Sequence, residues 1–495
     1  MRSAFSLGLM LTTVIHVTPL SLHAALSLED AKALLSAGRY REALPLLQKL
    51  AAGGNAEGEL YLGLMYQSAW GVAQDYTQAR QWYEKSAAAG ETEAVNELGV
   101  FYQNGWGIAQ DFAQARQWYQ KAAAAGNPKA MNNLGILYGN GWGVAQDYNH
   151  AREWFEKAVH AGGAEVSKGR LVLSLNGFGV SWSHRWGEKG DNAANSEAAH
   201  NLGRLYMNGW GVKRDYQEAS VWFSKAAAAG DAEAMNELGR LYMNGWGVAL
   251  DYAQARTWYS KGMAAGSSDA TFNLGILYDQ GWGVPADYAQ ARQLYQKAAA
   301  SGNADAMSNL GVLYRGGWGV AQDYQQARGW FEKGVAGGSA YAMLNLAGLY
   351  LNGWGVPQDY QQAAQWYAKA AAAGNPTAMD ELGILYLNGW GVTKDYVNAR
   401  HWYESAADAG SEVAKNGLGV LCVNGWGVPR DYTKGRQLFE QAAAAGSAEA
   451  MKNLGEIYRD GLGVAQDYAK AREWLEKAAA QGSAEAKLRL KTLPQ

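Results

Sequence analysis

The sequence contains one cysteine, Cys422, among 495 residues. A single cysteine cannot form a disulfide within the chain, so a disulfide-stabilised scaffold is excluded. The cysteine count does not indicate the cellular compartment, because many exported proteins lack cysteine. An excess of charge is also missing, since 43 basic and 46 acidic residues give a net charge of −3. This balance argues against a nucleic-acid or anionic-membrane partner bound by charge.

The apolar run at the N-terminus is too short to span a membrane comfortably. Arg2 precedes largely apolar residues 4–17, Pro19 ends the run, and Ala24 and Ala25 offer a small-residue cleavage site. We interpret residues 1–24 as a signal peptide. After removal of this peptide, the protein would have no membrane span and would be periplasmic or secreted. The alternative is an uncleaved, disordered leader.

The sequence is rich in one repeated segment, seen as Asn140-Gly141-Trp142-Gly143-Val144. Its first glycine recurs at steps of 36 residues, with one step of 32. The eleven positions are Gly105, Gly141, Gly177, Gly209, Gly245, Gly281, Gly317, Gly353, Gly389, Gly425 and Gly461. A period of this length is typical of solenoids, in which each unit contacts only its neighbours.

Each unit predicts two helices joined by a turn, as residues 231–266 illustrate. Asp231 is a suitable N-cap for helix A, and the apolar residues that follow recur at three- and four-residue spacing. Gly245 and Gly247 end this helix. Asp251 then caps helix B and forms a pair resembling a capping box with Gln254.

A glycine also recurs inside helix A, where it costs about 1 kcal/mol relative to alanine. Its positions are Gly63, Gly99, Gly135, Gly203, Gly239, Gly275, Gly311, Gly383, Gly419 and Gly455. We expect a facing helix to approach so closely there that no side chain would fit.

The pattern A-M-x-x-L-G-x-L-Y-x-N-G, followed by G-V-x-x-D-Y-x-x-A-x-x-W-Y-x-K-A-A-x-x-G, resembles the Sel1-like repeat, a longer relative of the tetratricopeptide repeat. The resemblance covers residues 55–482, about twelve units. It implies an all-α, right-handed α/α superhelical solenoid. It also implies a scaffold for protein–protein contacts rather than an enzyme.

One unit departs from the pattern, with Arg170, Leu171 and Ser174 at helix A positions and no Ala-Gln-Asp-Tyr segment. We expect a kink or flexible joint in this unit, because its helix-capping residues and the aromatic residues that pack between helices are missing. The predicted organisation is a signal peptide at 1–24, a capping helix pair at 25–54, repeats at 55–162, a degenerate repeat at 163–196, repeats at 197–482 and a capping helix at 483–495.

Tryptophans form two series. Those of helix B match the family's Trp-Tyr pair and are expected in the core; they are Trp82, Trp118, Trp154, Trp222, Trp258, Trp330, Trp366, Trp402 and Trp474. The turn series begins with Trp70 and continues with Trp106, Trp142, Trp210, Trp246, Trp282, Trp318, Trp354, Trp390 and Trp426. The family's pattern tolerates varied residues at the turn position. The turn series is therefore a candidate exposed ladder for a glycan, peptide or protein. The alternative is that each ring packs on valine and tyrosine side chains of the neighbouring turn.

A second candidate surface is the face of helix A opposite its core stripe. In tetratricopeptide-like superhelices this face lines a concave groove for peptides or helices. Its apolar members include Ile276, Val312 and Ile384, with Val100, Ile136 and Val420 at equivalent positions and Met207, Met243, Leu351, Leu387 and Val423 one turn on. An amide row runs beside it, at Asn133, Asn201, Asn273, Asn309, Asn345 and Asn453. The alternative is packing against the next helix A, with asparagines capping local backbone.

Catalytic and metal-binding patterns are missing, and we expect no cofactor. The histidines at 150, 160, 184, 200 and 401 are scattered and match no zinc-ligand spacing. Gly141-Trp142-Gly143 joins two helices and is no dinucleotide fingerprint. The leading prediction is a non-enzymatic scaffold of the bacterial envelope or secreted space that binds a protein or peptide. The second is a carbohydrate-binding protein, for peptidoglycan or exopolysaccharide, that uses the turn tryptophans.

Overall fold

The computed structural model describes residues 27–161, 170–171, 182–183 and 193–494. Within these ranges the chain forms twenty-five helices and one pair of two-residue strands. Consecutive helices pair in units of 36 residues, so the prediction of an all-α solenoid is confirmed. The predicted signal peptide lies outside the described residues.

The first pair is α1 (Leu28–Ser36) and α2 (Tyr40–Ala52), and the last helix is α25 (Ala484–Thr492). Between them helices A and B alternate. The A helices are α3 (Ala56–Ser68), α5 (Thr92–Asn104), α7 (Pro128–Asn140), α9 (Ala193–Asn208), α11 (Ala232–Asn244), α13 (Ser268–Gln280), α15 (Ala304–Gly316), α17 (Ala340–Asn352), α19 (Pro376–Asn388), α21 (Glu412–Asn424) and α23 (Ala448–Asp460). The B helices are α4 (Tyr76–Ala88), α6 (Phe112–Ala124), α8 (Tyr148–Ala161), α10 (Tyr216–Ala228), α12 (Tyr252–Ala264), α14 (Tyr288–Ala300), α16 (Tyr324–Ala336), α18 (Tyr360–Ala372), α20 (Tyr396–Asp408), α22 (Tyr432–Ala444) and α24 (Tyr468–Ala480).

The two strands fall in the degenerate unit. β1 (Arg170–Leu171) pairs antiparallel with β2 (Trp182–Ser183), and Arg170 lies opposite Ser183. Arg170 and Leu171 stand at helix A positions of the repeat, where this unit lacks the leucine and glycine of a normal helix A, and Trp182 and Ser183 stand at positions of the turn. Residues 193–196 of the predicted degenerate repeat belong to α9, and, apart from the two strands, the rest of it lies outside the described residues.

Local signals set the helix ends. Asn127 caps α7 by accepting a hydrogen bond from the N–H of Ala130, and Asp251 caps α12 by accepting from those of Ala253 and Gln254. Helix α7 ends at Gly141, whose φ of +72° is the left-handed conformation that favours glycine. The predicted Asp251 cap and turn glycine are therefore confirmed, but the N–H of Asp251 donates to the carbonyl of Tyr242 instead of to Gln254, so the reciprocal bond of a capping box is not formed.

The glycines inside the A helices allow the close approach that their recurrence predicts. A Cβ added to Gly275 would lie 2.6 Å from Cε1 of Tyr295 on the facing B helix. At all ten positions the added Cβ would come within 2.7 Å of a B-helix side chain. The facing residues are Tyr83, Tyr119, Phe155, Phe223, Tyr259, Tyr295, Phe331, Tyr403, Phe439 and Leu475, all buried.

The chain divides into two compact units. The first unit comprises Met1–Ala234 with Trp246–Val248, and the second comprises Met235–Gly245 with Ala249–Gln495. Each has its own clusters of buried alanine, leucine and aromatic side chains at the contacts between A and B helices. The core is therefore distributed along the repeats, as expected for a solenoid.

Candidate functional site

Each turn tryptophan stacks on an aromatic ring at the start of the preceding B helix. Trp318 and Tyr288 illustrate the geometry, with ring centroids 6.0 Å apart and planes inclined by 24°. Over ten pairs the centroid distance is 5.2–6.0 Å and the inclination is 7–26°. The pairs are Tyr40–Trp70, Tyr76–Trp106, Phe112–Trp142, Tyr148–Trp210, Tyr216–Trp246, Tyr252–Trp282, Tyr288–Trp318, Tyr324–Trp354, Tyr360–Trp390 and Tyr396–Trp426.

The second glycine of the turn contacts the same tyrosine. Gly319 has a φ of +66°, and a Cβ added there would lie 2.7 Å from Cβ of Tyr288. The tryptophan and this glycine therefore hold one turn against the preceding B helix; we call this arrangement the turn clasp. Packing on the neighbouring turn is thus a property of the whole tryptophan series. A binding role for it stays a prediction.

Exposure of the stacked rings differs along the chain. Trp282 and Trp354 are 38% exposed, and Trp318 and Trp390 are 44% exposed. The turn tryptophans from Trp70 to Trp246, and Trp426, are half-buried. The most exposed rings of the series therefore lie in four consecutive repeats of the second unit.

Polar residues of the turn are occupied in ending and starting helices. In the repeat that begins with α15, Gln322 Nε2 donates to the carbonyl of Arg315 at 2.8 Å and to the Tyr324 hydroxyl at 3.1 Å. Asp323 Oδ1 accepts the N–H groups of Gln325 and Gln326. These contacts explain the Gln-Asp-Tyr sequence without a ligand.

The asparagine row on helix A forms bridges between successive A helices. Asn201 Nδ2 donates to Asn132 Oδ1 at 3.1 Å, and Asn273 Nδ2 donates to Asn236 Oδ1 at 2.8 Å. Asn133 and Asn453 make the same contact to the preceding repeat, with Asn96 and Asn416 as acceptors. One amide N–H of each of these four donor residues is therefore engaged within the protein.

Asn345 and Asn309 do not form the asparagine–asparagine bridge of the other members of the row. Asn345 Nδ2 donates to the carbonyl of Tyr341 at 2.9 Å and to Ser308 Oγ at 3.4 Å, and its Oδ1 accepts from Arg315. The side chain of Asn309 lies near the Tyr295 hydroxyl, which donates to Asp279. The donation to the Tyr341 carbonyl is the local backbone contact that the alternative interpretation predicts.

The apolar residues of helix A differ in burial between the two units. Val100 and Ile136, in the first unit, are 2% and 0% exposed. Ile276, Val312 and Ile384, in the second unit, are half-buried at equivalent repeat positions. Leu351 and Leu387 are half-buried one turn further on. We call these five residues of the second unit the A-helix face.

The equivalent region of the first unit carries buried charge. Glu93 and Lys129 form an ion pair between α5 and α7. Glu97 is buried nearby at the repeat position of Asn133, and Leu60 stands in the preceding repeat at the position of Asn96, the amide partner of Asn133. Burial, reinforced by the negative charge of Glu93, raises the pKa of Glu97 to about 8.

The helix B tryptophans carry a feature that the sequence analysis missed. In eight of these helices a lysine ammonium lies 3.8–5.2 Å from the centroid of the tryptophan three residues earlier. The pairs are Trp82–Lys85, Trp118–Lys121, Trp154–Lys157, Trp222–Lys225, Trp258–Lys261, Trp330–Lys333, Trp366–Lys369 and Trp474–Lys477. The i,i+3 spacing in W-Y-x-K was the signal available. The rings are half-buried and pack against the core clusters, so the prediction that they lie in the core is confirmed only in part.

Histidines and acidic residues do not converge in the part of the chain that the structure describes. No group of three or more histidine, cysteine, aspartate or glutamate side chains there could hold a metal ion. His150 pairs with Asp147 at 2.7 Å, and His200 lies 3.3 Å from Asp231. Among the helices described, none is both long and apolar enough to cross a membrane.

The repeat length, the helix pairing and the glycine contacts define a helical-repeat protein, and comparison with known families identifies which one. The Sel1 repeat profile matches eleven segments, at 56–91, 92–127, 128–163, 196–231, 232–267, 268–303, 304–339, 340–375, 376–411, 413–447 and 448–483. The chain belongs to the Sel1 repeat family. Sel1 repeats mediate protein interactions, and members of the family are typically non-enzymatic scaffolds.

Two solved structures illustrate the similarity. A protective antigen present in uropathogenic Escherichia coli strains is 32% identical, with a TM-score of 0.56, over 91% of this chain and 89% of that protein. A Sel1 repeat protein from Oxalobacter formigenes is 30% identical, with a TM-score of 0.47, over 56% of this chain and 100% of that protein. No curated protein matches the chain.

Proposed function

We propose that this protein is a non-enzymatic scaffold that binds a protein partner on the A-helix face of the second unit. The observation that carries the proposal is the half-burial of Ile276, Val312 and Ile384, at a position where Val100 and Ile136 are buried. Partly exposed apolar side chains in three of four consecutive repeats, with Gly348 at this position in the fourth, suit an extended peptide or a helix that presents apolar side chains at intervals.

The amide row limits how such a partner is held. Asn201 and Asn273 each donate to an asparagine of the preceding A helix, so one amide N–H of each is engaged within the scaffold. The proposed partner is therefore recognised mainly through apolar contacts. We assign the asparagines the role of holding successive A helices in register.

Partner binding can be tested by affinity purification of the tagged protein from the periplasm. The double variant Val312→Asn, Ile384→Asn should lose the partner, because each substitution replaces an apolar contact by a polar group. Trp318→Ala, which alters the turn clasp instead, is the matched control and should keep it. Recovery of the same partner by the double variant at wild-type yield would contradict the proposal, provided that both variants remain folded by circular dichroism.

We further propose that the protein acts in the bacterial envelope or outside the cell. The support is the N-terminal leader, together with the relative that is described as a protective antigen. Mass spectrometry of the protein isolated from its host should find a mature N-terminus at Ala25. A protein that retains residues 1–24 and stays in the cytoplasm would contradict this location.

Carbohydrate binding is a second candidate function, and the exposed turn tryptophans favour it. Trp282, Trp318 and Trp354 each stack one face on a tyrosine and remain more than a third exposed. Binding to insoluble peptidoglycan or exopolysaccharide that is lost when all three are replaced by alanine would support it. Equal retention of the wild type and the triple variant would exclude it.

A further inference from the structure

Helix α16 contains a glycine that packing does not require. A Cβ added to Gly329 would meet no atom within 4 Å, whereas one added to Gly334 of the same helix would lie 2.8 Å from Cβ of Ala342. Glycine in the middle of a helix lowers its stability relative to any ordinary residue. The ten other B helices have a larger side chain at this position, namely Gln81, Gln117, Glu153, Val221, Thr257, Gln293, Gln365, His401, Gln437 and Glu473.

The missing side chain borders a surface cavity of about 220 Å³. Its lining consists of Gln325, Gln326, Gly329, Trp330 and Lys333. This set provides one aromatic ring, two amides and one ammonium group. The cavity is smaller than the roughly 300–1,000 Å³ typical of sites for larger ligands, so it suits a single small ring.

At this cavity the indole ring is held in place, whereas the lysine ammonium group can move. Trp330 is half-buried and so is fixed by the core, while Lys333 is exposed with its ammonium 4.1 Å from the indole centroid. A lysine side chain has a flexible four-carbon stem, so the ammonium can turn from the indole toward an anionic group on a ligand. Gln325 Nε2 donates to the carbonyl of Gly355 at 2.6 Å, which leaves its Oε1 as an acceptor.

We propose that this cavity binds one acidic sugar residue, a hexuronate, of a glycan. The C–H face of the pyranose ring stacks on the Trp330 indole, and the sugar carboxylate pairs with Lys333. Hydroxyl groups donate to Gln325 Oε1 and exchange hydrogen bonds with the Gln326 amide. The site lies on helix B and depends neither on the A-helix face nor on the turn tryptophans.

The next repeat provides a matched control within the same chain. Trp366 and Lys369 form the same pair at 3.9 Å, and Gln361 and Gln362 stand at the positions of Gln325 and Gln326. The position of Gly329 is taken there by Gln365. Gly329→Gln should therefore close the site with a side chain that the fold already accepts, and Gln365→Gly should open a second site.

Saturation-transfer NMR and calorimetry on the full chain with D-glucuronate, and with D-glucose for comparison, test the proposal. We expect saturation transfer to the ring protons of D-glucuronate, weaker binding of D-glucose, and an affinity loss of about tenfold or more in Gly329→Gln and Trp330→Ala. Gly329→Gln should have a melting temperature equal to or above that of the wild type, so loss of binding could not reflect unfolding. Gln365→Gly should raise the stoichiometry from one to two. Absence of D-glucuronate binding, equal affinity for D-glucose, or unchanged binding by Gly329→Gln would each overturn the assignment.

Discussion

Each turn tryptophan stacks one face on an aromatic ring of the preceding B helix. Trp142 stacks on Phe112 with centroids 5.5 Å apart and is half-buried, whereas Trp318 stacks on Tyr288 at 6.0 Å and is 44% exposed. Stacked aromatic pairs contribute about 0.5–1.5 kcal/mol beyond the area that they bury. The fold therefore benefits from a residue that the general repeat pattern leaves free.

Replacing these two tryptophans should separate packing from surface function. We expect Trp142→Ala to lower the free energy of unfolding by about 2–4 kcal/mol and Trp318→Ala by about 1–2 kcal/mol, because Trp142 buries more area. Urea denaturation followed by circular dichroism measures both. The corresponding phenylalanine variants, which keep a stacked ring, should lose less. Wild-type stability in Trp142→Ala would contradict the structural role of the turn clasp.

A buried carboxyl group makes the stability of the first unit depend on pH. Glu97 has an ordinary pKa of 4.5 and a folded-state pKa of about 8 because of its burial. Between these values the folded state binds more protons than the unfolded state, so stability falls as the pH rises through this window. Glu97→Gln should remove that dependence and stabilise the first unit at pH 8. Denaturation curves at pH 5 and pH 8 measure it, and an identical pH dependence in wild type and variant would refute the assignment.

Helix ends are the part of the fold that nearby sequence determines most directly. An aspartate caps its own helix through N–H groups two and three residues on, so Asp251 and Asp323 could be recognised from sequence alone. The role of the glycines inside helix A could also be predicted from sequence, since only close packing of a facing helix offsets the loss of helix stability that a repeated glycine causes. Contacts between repeats were predicted less completely. Packing of the turn tryptophans on neighbouring tyrosines was one of two alternatives, and the pairing of Asn273 with Asn236 was not predicted, because it depends on the offset between stacked units, which periodicity does not give.

The caps should have local energetic effects. Asp323→Ala removes the acceptor of the Gln325 and Gln326 N–H groups and should cost about 1 kcal/mol at the start of α16. Asp323→Asn keeps an acceptor and should cost little. Hydrogen exchange of these two amides measures the change, which should be faster in the alanine variant only. Equal exchange in both variants would show that the first turn of α16 is held by other contacts.

At the scale of the whole molecule, the contacts that form the fold recur in both units, whereas the proposed binding surface does not. The clasp, the caps and the glycine–aromatic contacts recur in both units and account for the fold. Burial of the helix A apolar position does not recur, since Val100 and Ile136 are buried while Val312 and Ile384 are half-buried. Sequence predicted that this row exists but not which part is accessible, because burial depends on the side chains of adjacent repeats. The proposed binding function therefore belongs to the second unit.

Site-specific photo-crosslinking tests this account most directly. A benzophenone amino acid at Leu351 or Leu387, on the A-helix face, should crosslink one and the same protein when the full chain is irradiated in its native compartment. The control position is Val397, which is 55% exposed on helix α20. The account predicts a discrete partner adduct from Leu351 and Leu387 and none from Val397. Adducts from Val397 but not from the A-helix face would contradict it.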